Sequence, residues 1–266
     1  MNIINIEARD IPDAWFQCVY NILEHGRTFT IDRGSYTGHK RLEFDYITFR
    51  IKYPMTDPLL PQIPEHYGIP NPVADDYLDG YLPYLMTGET KPGESYTYGQ
   101  RICKASLHSL QPIDWDTSKE ILIHDHEVWN NDNIISSDKS KPDEFFVNQL
   151  ELMIWTYKNK GHRNNQMVLQ VGQPSDMLLQ DPPCLRQIDT RIQDGKLHFF
   201  PHFRSWDLWN GMPANLAAIE IMKQYASAEI GVENGEIIAS TKGLHIYDYA
   251  FDIGKVLRMK EDIILK

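Results

Sequence analysis

The segment spanning residues 185–228 constrains the fold more than any other part of the chain. Leu185–Ile192 and Lys196–Arg204 have strand-like patterns, and the turn pair Asp194-Gly195 between them predicts a hairpin. Pro213–Ala228 follows with apolar residues at helical spacing and with its proline in the first turn. A hairpin followed by an apolar helix requires a sheet and a helix layer that share one core.

Helices and strands are mixed in the same way along the rest of the chain. Ile11–Glu24 and Glu144–Lys158 have helical apolar spacing, Val73–Leu85 has a weaker version of it, and residues 27–53 and 118–124 predict strands. The polar residues 130–143 predict a loop. Because strict βαβ alternation is missing, the sequence predicts an α+β fold over residues 1–266 as one domain.

Composition and charge exclude several functional classes. Hydrophobic residues make up 42% of the chain and the net charge is −11, which argues against broad binding to nucleic acid or to an anionic membrane. No run of about 18 apolar residues is present, and the N-terminus has no signal-peptide pattern. The three cysteines are far apart, which predicts neither a disulfide framework nor a metal site and fits a reducing cytoplasm.

Cys184 is the candidate nucleophile. It follows Pro182-Pro183, and two prolines stiffen the backbone on which the thiol is held. Taken alone, a cysteine in this position is more often a small buried residue. Arg204-Ser205, twenty residues later, combines a cation with a hydroxyl, a pair suited to phosphate binding, and a nearby arginine lowers a thiol pKa.

Three further side chains carry groups that recognise a nucleotide. Asn215 lies in the first turn of the predicted helix, and its amide offers both a donor and an acceptor, as a uracil edge requires. His245 and Tyr247 flank Ile246 on a predicted strand, so they point to one face and suit sugar hydroxyls. For each of these residues alone, an ordinary structural role remains open.

These residues occur in an ordered set of motifs that resembles the thymidylate synthase and pyrimidine-nucleotide hydroxymethylase family. The motifs are Pro183-Cys184, Arg204-Ser205-Xaa-Asp207, Gly211-Xaa-Pro213-Xaa-Asn215 and His245-Xaa-Tyr247. The stretch from residue 181 to residue 249 is most similar to archaeal-type thymidylate synthases, whereas the N-terminal half matches more loosely. The resemblance implies one large mixed or antiparallel sheet packed by helices.

The resemblance also implies a role for each matching residue. Cys184 adds to C6 of the pyrimidine, and Tyr98 assists proton removal from C5. The implied phosphate ligands are Arg204 and Ser205, joined by Arg33 and by Arg163, the latter lent across a homodimer interface. The remaining implied contacts are Asn215 with the base, His245 and Tyr247 with the sugar, and Asp207 with the pterin or with ordered water.

The implied substrate is dUMP, and the implied reaction is its methylation to dTMP. Family members that act on cytosine carry aspartate where this chain has Asn215, so asparagine favours uracil. The implied cofactor is 5,10-methylene-tetrahydrofolate or methylene-tetrahydromethanopterin. The second is a candidate because only about twenty residues follow the His245-Xaa-Tyr247 motif, where typical synthases have a longer segment that closes over the folate, and the choice between the two stays open.

Two departures from the family pattern concern other positions. Leu185 stands where a histidine often follows the nucleophile. The family's catalytic glutamate is matched by Tyr81, which makes Asp79 the nearest carboxylate and the candidate proton-transfer group. Two alternative functions stay open: a uridylate or cytidylate 5-hydroxymethylase with the same covalent mechanism, and a catalytically silent nucleotide-binding homologue.

Overall fold

The computed structural model describes residues 1–32, 36–107, 126–138 and 141–258. The strands in these ranges are β1 (Ile3–Ala8), β2 (Arg27–Thr30), β3 (Lys40–Glu43), β4 (Tyr46–Ile51), β5 (Ala105–Ser106), β6 (Ile135–Asp138), β7 (Lys141–Val147), β8 (Val168–Gln170), β9 (Leu185–Gln193), β10 (Lys196–Phe203), β11 (Trp206–Asp207), β12 (Glu233–Thr241) and β13 (Leu244–Tyr247). The α-helices are α1 (Ile11–His25), α2 (Tyr77–Met86), α3 (Tyr98–Cys103), α4 (His126–Trp129), α5 (Gln149–Lys160), α6 (Gly211–Ile230) and α7 (Phe251–Leu257).

The strands form a large mixed sheet and two smaller ones. The large sheet has the order β1-β4-β12-β10-β9-β8, in which β1 with β4 and β12 with β10 are parallel and the other pairs are antiparallel. The second sheet is β11-β13-β3-β2, and the third is β5-β7-β6. Helices α1, α5 and α6 contact one another and pack against the large sheet. The predicted α+β fold with a mixed sheet packed by helices is therefore confirmed.

The alternation of side chains along the large sheet determines where the core lies. Ile47, Phe49 and Ile51 of β4 are fully buried, as are Leu197 and Phe199 of β10. The residues between them point to the other face, which is polar and only half-buried. On that face Arg50 forms a bidentate pair with Glu236 at 2.7 and 2.8 Å, and His202 contacts Ser240 at 2.9 Å.

Two elements differ from the sequence-based expectations. The region 130–143 was expected as a loop, but it contributes β6 and the start of β7, because backbone pairing of β7 with both β5 and β6 stabilises strands that contain polar residues. Helix α5 then begins at Gln149, later than expected, because the Asn148 side chain accepts a hydrogen bond from the Glu151 amide and caps it. The strand predicted at 118–124 lies outside the described residues.

Candidate active site

Cys184 sits at the start of β9, and the residues before it are tied down by a neighbouring arginine. We call residues 181–184 the nucleophile loop. The Arg204 guanidinium donates to the carbonyl oxygens of Pro182 at 2.5 Å and Pro183 at 3.1 Å, and the Arg204 amide donates to the Cys184 carbonyl at 2.8 Å. Arg204 therefore holds both sides of the cysteine, because β9 and β10 are adjacent antiparallel strands.

A second set of charged groups supports the same loop. Asp176 is 1% exposed, and its carboxylate accepts from Arg101 and Arg186, each at 2.9 Å. Arg186 also donates to the Pro183 carbonyl at 3.3 Å. Burial alone would raise the pKa of Asp176, but the Gln173 amide and the two guanidinium groups lower it below its usual value. The nucleophile loop thus rests on a buried, fully ionised cluster.

The Cys184 thiol is half-buried beside a tyrosine hydroxyl. Burial raises the pKa of the thiol, while the charge of Arg204 lowers it, and the net shift is upward. The Tyr98 hydroxyl accepts from the Leu185 amide at 3.3 Å, one residue beyond the nucleophile. Burial raises the pKa of Tyr98 well above its usual range, so the phenol is neutral at neutral pH and its own proton is free to donate.

Tyr98 is brought to this position by close packing of two helices. Gly99, in the first turn of α3, lies directly against the backbone carbonyls of Tyr84, Leu85 and Thr87 at the end of α2. A side chain at residue 99 would collide with these carbonyl oxygens, so only glycine allows α3 to approach this closely. The approach fixes the distance between α2 and the nucleophile loop.

The short strand β11 places the residues that follow Arg204 beside His245. Trp206 and Asp207 pair with Leu244 and His245 of β13 in parallel register. Both Asp207 oxygens accept backbone N–H groups, from Trp209, Asn210 and Gly211, each at 3.1 Å. Asp207 therefore caps the start of α6 and keeps one lone pair free. The Ser205 hydroxyl makes only a weak contact, at 3.5 Å, with the Gly243 carbonyl.

The two ring nitrogens of His245 differ in their surroundings. Its Nδ1 lies 2.9 Å from the Gly243 carbonyl, and since a carbonyl only accepts, Nδ1 carries the proton. The Nε2 atom is buried and has no hydrogen-bond partner among the residues that the structure describes. Burial lowers the pKa of His245, so the ring is neutral and Nε2 is an acceptor that requires a donor. Tyr247 lies edge-on to it, 5.0 Å away between ring centroids, as the strand alternation predicts.

The Asn215 amide is bound on both sides. The Trp206 indole N–H donates to its oxygen at 2.9 Å, and its nitrogen donates to the Tyr81 hydroxyl at 2.6 Å. Tyr81 stacks on Tyr77 and Tyr84 along α2, with ring centroids 5.5 and 6.3 Å apart. We call these three residues the tyrosine wall. The position that the resemblance matched to the family glutamate thus holds a hydroxyl in contact with Asn215.

A cavity of about 360 Å³ opens between the tyrosine wall and the nucleophile loop. Four aromatic and four polar side chains line it: Tyr81, Tyr84, Tyr96 and Tyr98, and Glu94, Ser95, Thr97 and Asp181. Cavities with aromatic walls suit flat heteroaromatic rings, and polar groups among them can orient such a ring. The cavity is therefore a candidate site for a second ligand beside the one that contacts Cys184.

Two of the sequence-predicted residues lie away from this cluster, and the place of a third is not described. Arg33 lies outside the described residues. Arg163 is exposed and lines a separate cavity of about 390 Å³ with Arg191 and Asp194 at the far end of β9, roughly 30 Å from Cys184 by strand length. Asp79 is exposed on α2, two residues before Tyr81, and residues at that spacing do not share a helix face.

Comparison with known proteins identifies the family of the chain. A sequence model described as thymidylate synthase matches residues 98–261, which is more than half of the chain. The chain belongs to the thymidylate synthase family. The matched range includes Tyr98, Cys184 and every motif from Arg204 to Tyr247.

Relatives from methanogenic archaea match nearly the whole chain at low identity. A protein of Methanosarcina acetivorans named "Putative thymidylate synthase" is 27% identical over 93% of this chain and 91% of its own length. Proteins of the same name from Methanococcoides burtonii and Methanothermobacter thermautotrophicus are 26% and 24% identical over 95% and 93% of this chain, and over 94% and 95% of their own lengths. The similarity to archaeal members expected from the Arg-Ser-Trp-Asp run is confirmed.

The structure adds residues to this cluster that sequence reasoning did not select. Asp176, Arg101 and Arg186 hold the nucleophile loop, but they are far apart in sequence and belong to no recognised motif. Trp206 is the variable position of the Arg204-Ser205-Xaa-Asp207 motif, although its indole binds Asn215. In the parts of the chain that the structure describes, no helix is long and apolar enough to cross a membrane.

Proposed function

We propose that this chain is a thymidylate synthase-type methyltransferase that converts dUMP to dTMP. The observation that carries the proposal is the hydrogen bond from the Leu185 amide to the Tyr98 hydroxyl, which places that hydroxyl beside the residue that follows Cys184. Addition of a thiolate to C6 requires a nucleophile held at one angle, and removal of the C5 proton requires an acceptor beside it. A neutral phenol is not itself that acceptor, so we assign to Tyr98 the role of hydrogen bonding to the water that takes the proton.

The nucleotide is assigned to the groups around Cys184. Arg204 and Ser205 bind the 5′-phosphate, and the Asn215 amide pairs with O4 and N3–H of uracil. The buried Nε2 of His245, which lacks a donor, accepts a sugar hydroxyl, with Tyr247 beside it. The positive charges of Arg204 and Arg186 oppose the rise in the Cys184 pKa, and they also offset the negative charge of a phosphate bound beside the thiol.

The cavity beside the tyrosine wall is assigned to a methylene-pterin, either 5,10-methylene-tetrahydrofolate or methylene-tetrahydromethanopterin. The aromatic lining fits a flat bicyclic ring, and the free lone pair of Asp207 accepts from a ring N–H or from water. When bound, the pterin supplies the one-carbon unit that C5 acquires. Tyr96 lines this cavity, and its hydroxyl donates to the Asp181 carbonyl of the nucleophile loop.

We also propose that two copies of the chain form a homodimer. Arg163 lies at the end of β9 opposite to Cys184, so within one chain it does not reach a phosphate held by Arg204. A second copy that packs against the half-buried face of the large sheet, which carries His202 and Arg50, would bring its Arg163 to that phosphate. Arg33 is assigned to the same phosphate from the sequence alone.

The test is incubation of the purified chain with dUMP and each of the two methylene-pterins, followed by mass analysis of the nucleotide. A gain of one methyl group is the expected result, and Cys184→Ala should abolish it. Cys103→Ala is the matched control, since Cys103 is a partly buried thiol on α3 outside the proposed chemistry. A hydroxymethyl product would identify the 5-hydroxymethylase instead, and no change in either dUMP or dCMP with either pterin would refute both enzymatic functions.

A further inference from the structure

The hydrogen bonds around Asn215 define which end of its amide is oxygen. An indole N–H only donates, so the amide atom 2.9 Å from Trp206 must be the oxygen. The nitrogen then faces Tyr81 at 2.6 Å. Each bond uses one of the two positions on its atom, so the amide keeps one lone pair and one N–H. These two remaining positions are what a uracil edge requires.

An asparagine without such partners would not choose between the pyrimidines. Uracil presents an N3–H donor and an O4 acceptor, whereas cytosine presents an N3 acceptor and an amino donor. Rotation of the amide by 180° exchanges its oxygen and nitrogen, and the rotated amide complements cytosine. Selection of uracil by Asn215 therefore depends on what prevents this rotation.

Trp206 supplies the barrier to rotation. A rotated amide would place its N–H groups against the indole N–H and leave that buried donor, on a residue 2% exposed, without an acceptor. The indole cannot turn away, since it stacks on Phe203 with ring centroids 3.7 Å apart and a 7° interplanar angle. The Tyr81 hydroxyl can either accept or donate a hydrogen bond, so it can contact either end of the amide. It therefore holds the amide in place but does not determine which end is oxygen.

We propose that Trp206 is a positioning residue for base choice, which acts through Asn215 to make the site accept a uracil nucleotide and reject a cytosine nucleotide. This inference rests on the proposed function, because it assumes that Asn215 contacts the base. Tyr81 is the second contact that holds the amide. The indole nitrogen thus contributes to specificity without touching the nucleotide.

The test compares equilibrium binding of dUMP and dCMP to the full-length protein by calorimetry. In Trp206→Phe we expect the preference for dUMP to fall by about tenfold or more, chiefly through tighter binding of dCMP. Tyr81→Phe should lower the preference less, since the indole still assigns the oxygen. Trp209→Phe is the matched control, because Trp209 is a buried indole of the same segment that packs on Trp15 and leaves the preference unchanged.

Folding of the variants is checked by circular dichroism and thermal unfolding. A second replacement, Trp206→benzothienylalanine, keeps the size and stacking of the indole and removes only the N–H, so it should reproduce the loss of preference even if phenylalanine destabilises the core. If the folded benzothienylalanine variant keeps the wild-type preference for dUMP, this inference is overturned while the proposed function stands. Failure of the wild-type chain to bind either nucleotide would overturn the proposed function and this inference with it.

Discussion

The nucleophile loop and the tyrosine wall face each other across one cavity, yet they are held by different kinds of interaction. In the loop, guanidinium groups bind backbone carbonyls and a buried carboxylate, and such charge-assisted hydrogen bonds are directional. The wall is a stack of tyrosine rings on α2, a helix of ten residues that contains Gly80 and Pro83. Stacking tolerates sliding, and both residues weaken a helix. The rigid region holds the nucleophile, and the adaptable one faces the proposed cofactor.

Removal of the carboxylate beneath the loop tests this difference most strongly. Asp176→Ala leaves the buried guanidinium of Arg101 without its counter-charge, so we expect a loss of about 3–5 kcal/mol in the free energy of unfolding. Denaturant unfolding measures it. The control is Glu229→Gln, which removes an exposed contact with Lys158 and should cost less than about 0.5 kcal/mol. Equal losses of unfolding free energy in the two variants would mean that the buried cluster does not hold the loop.

The Tyr98 hydroxyl lies between the two regions and should affect the rate of reaction at C5 but not the binding of dUMP. Tyr98→Phe removes the hydroxyl that assists proton removal, and we expect C5-tritium release from dUMP to slow by about a hundredfold or more, with dUMP affinity nearly unchanged. Tyr225→Phe is the control, because its exposed hydroxyl donates to Glu151 between α6 and α5 and has no part in the proposed chemistry. A slowing below about fivefold in Tyr98→Phe would remove this tyrosine from the proposed chemistry.

The rigid loop also predicts how the nucleophile titrates. Burial raises the pKa of Cys184 and Arg204 opposes the rise, so in the free protein the thiolate fraction at neutral pH is smaller than that of an exposed cysteine. The rate of Cys184 alkylation by iodoacetamide should therefore keep rising about tenfold per pH unit above about pH 8.5, the pH at which the alkylation rate of an ordinary thiol begins to level off. Peptide mass spectrometry follows the reaction at this residue.

The contribution of Arg204 can be separated in the same experiment. Arg204→Gln removes the charge that lowers the thiol pKa, so its alkylation profile should move further to high pH. Cys103 provides an internal reference, because burial raises its pKa to about 12 and it should react more slowly throughout. A profile for wild-type Cys184 that levels off below about pH 8.5 would contradict the upward shift.

The two regions also differ in how much of them the sequence predicted. Cys184, Arg204 and His245 lie in short local motifs, and the hairpin and long helix that place them follow from periodicity and turn residues. The Asp176 cluster joins residues up to 75 positions apart, and no local pattern encodes such a contact. The contact between Tyr81 and Asn215 spans 134 positions and depends on how α2 packs against α6.

The smallest expected effect concerns the carboxylate that sequence comparison placed at the proton-transfer position. Asp79 is exposed, and one helical position corresponds to about 100°, so it lies about 200° around α2 from Tyr81, which contacts Asn215. We expect Asp79→Asn to change the rate of C5-tritium release by less than about twofold. Tyr81→Phe, measured beside it, should have the larger effect because it removes the hydroxyl bound to Asn215. A tenfold loss in Asp79→Asn would show that α2 turns when the nucleotide binds, and the tyrosine wall would then be a moving part of the site.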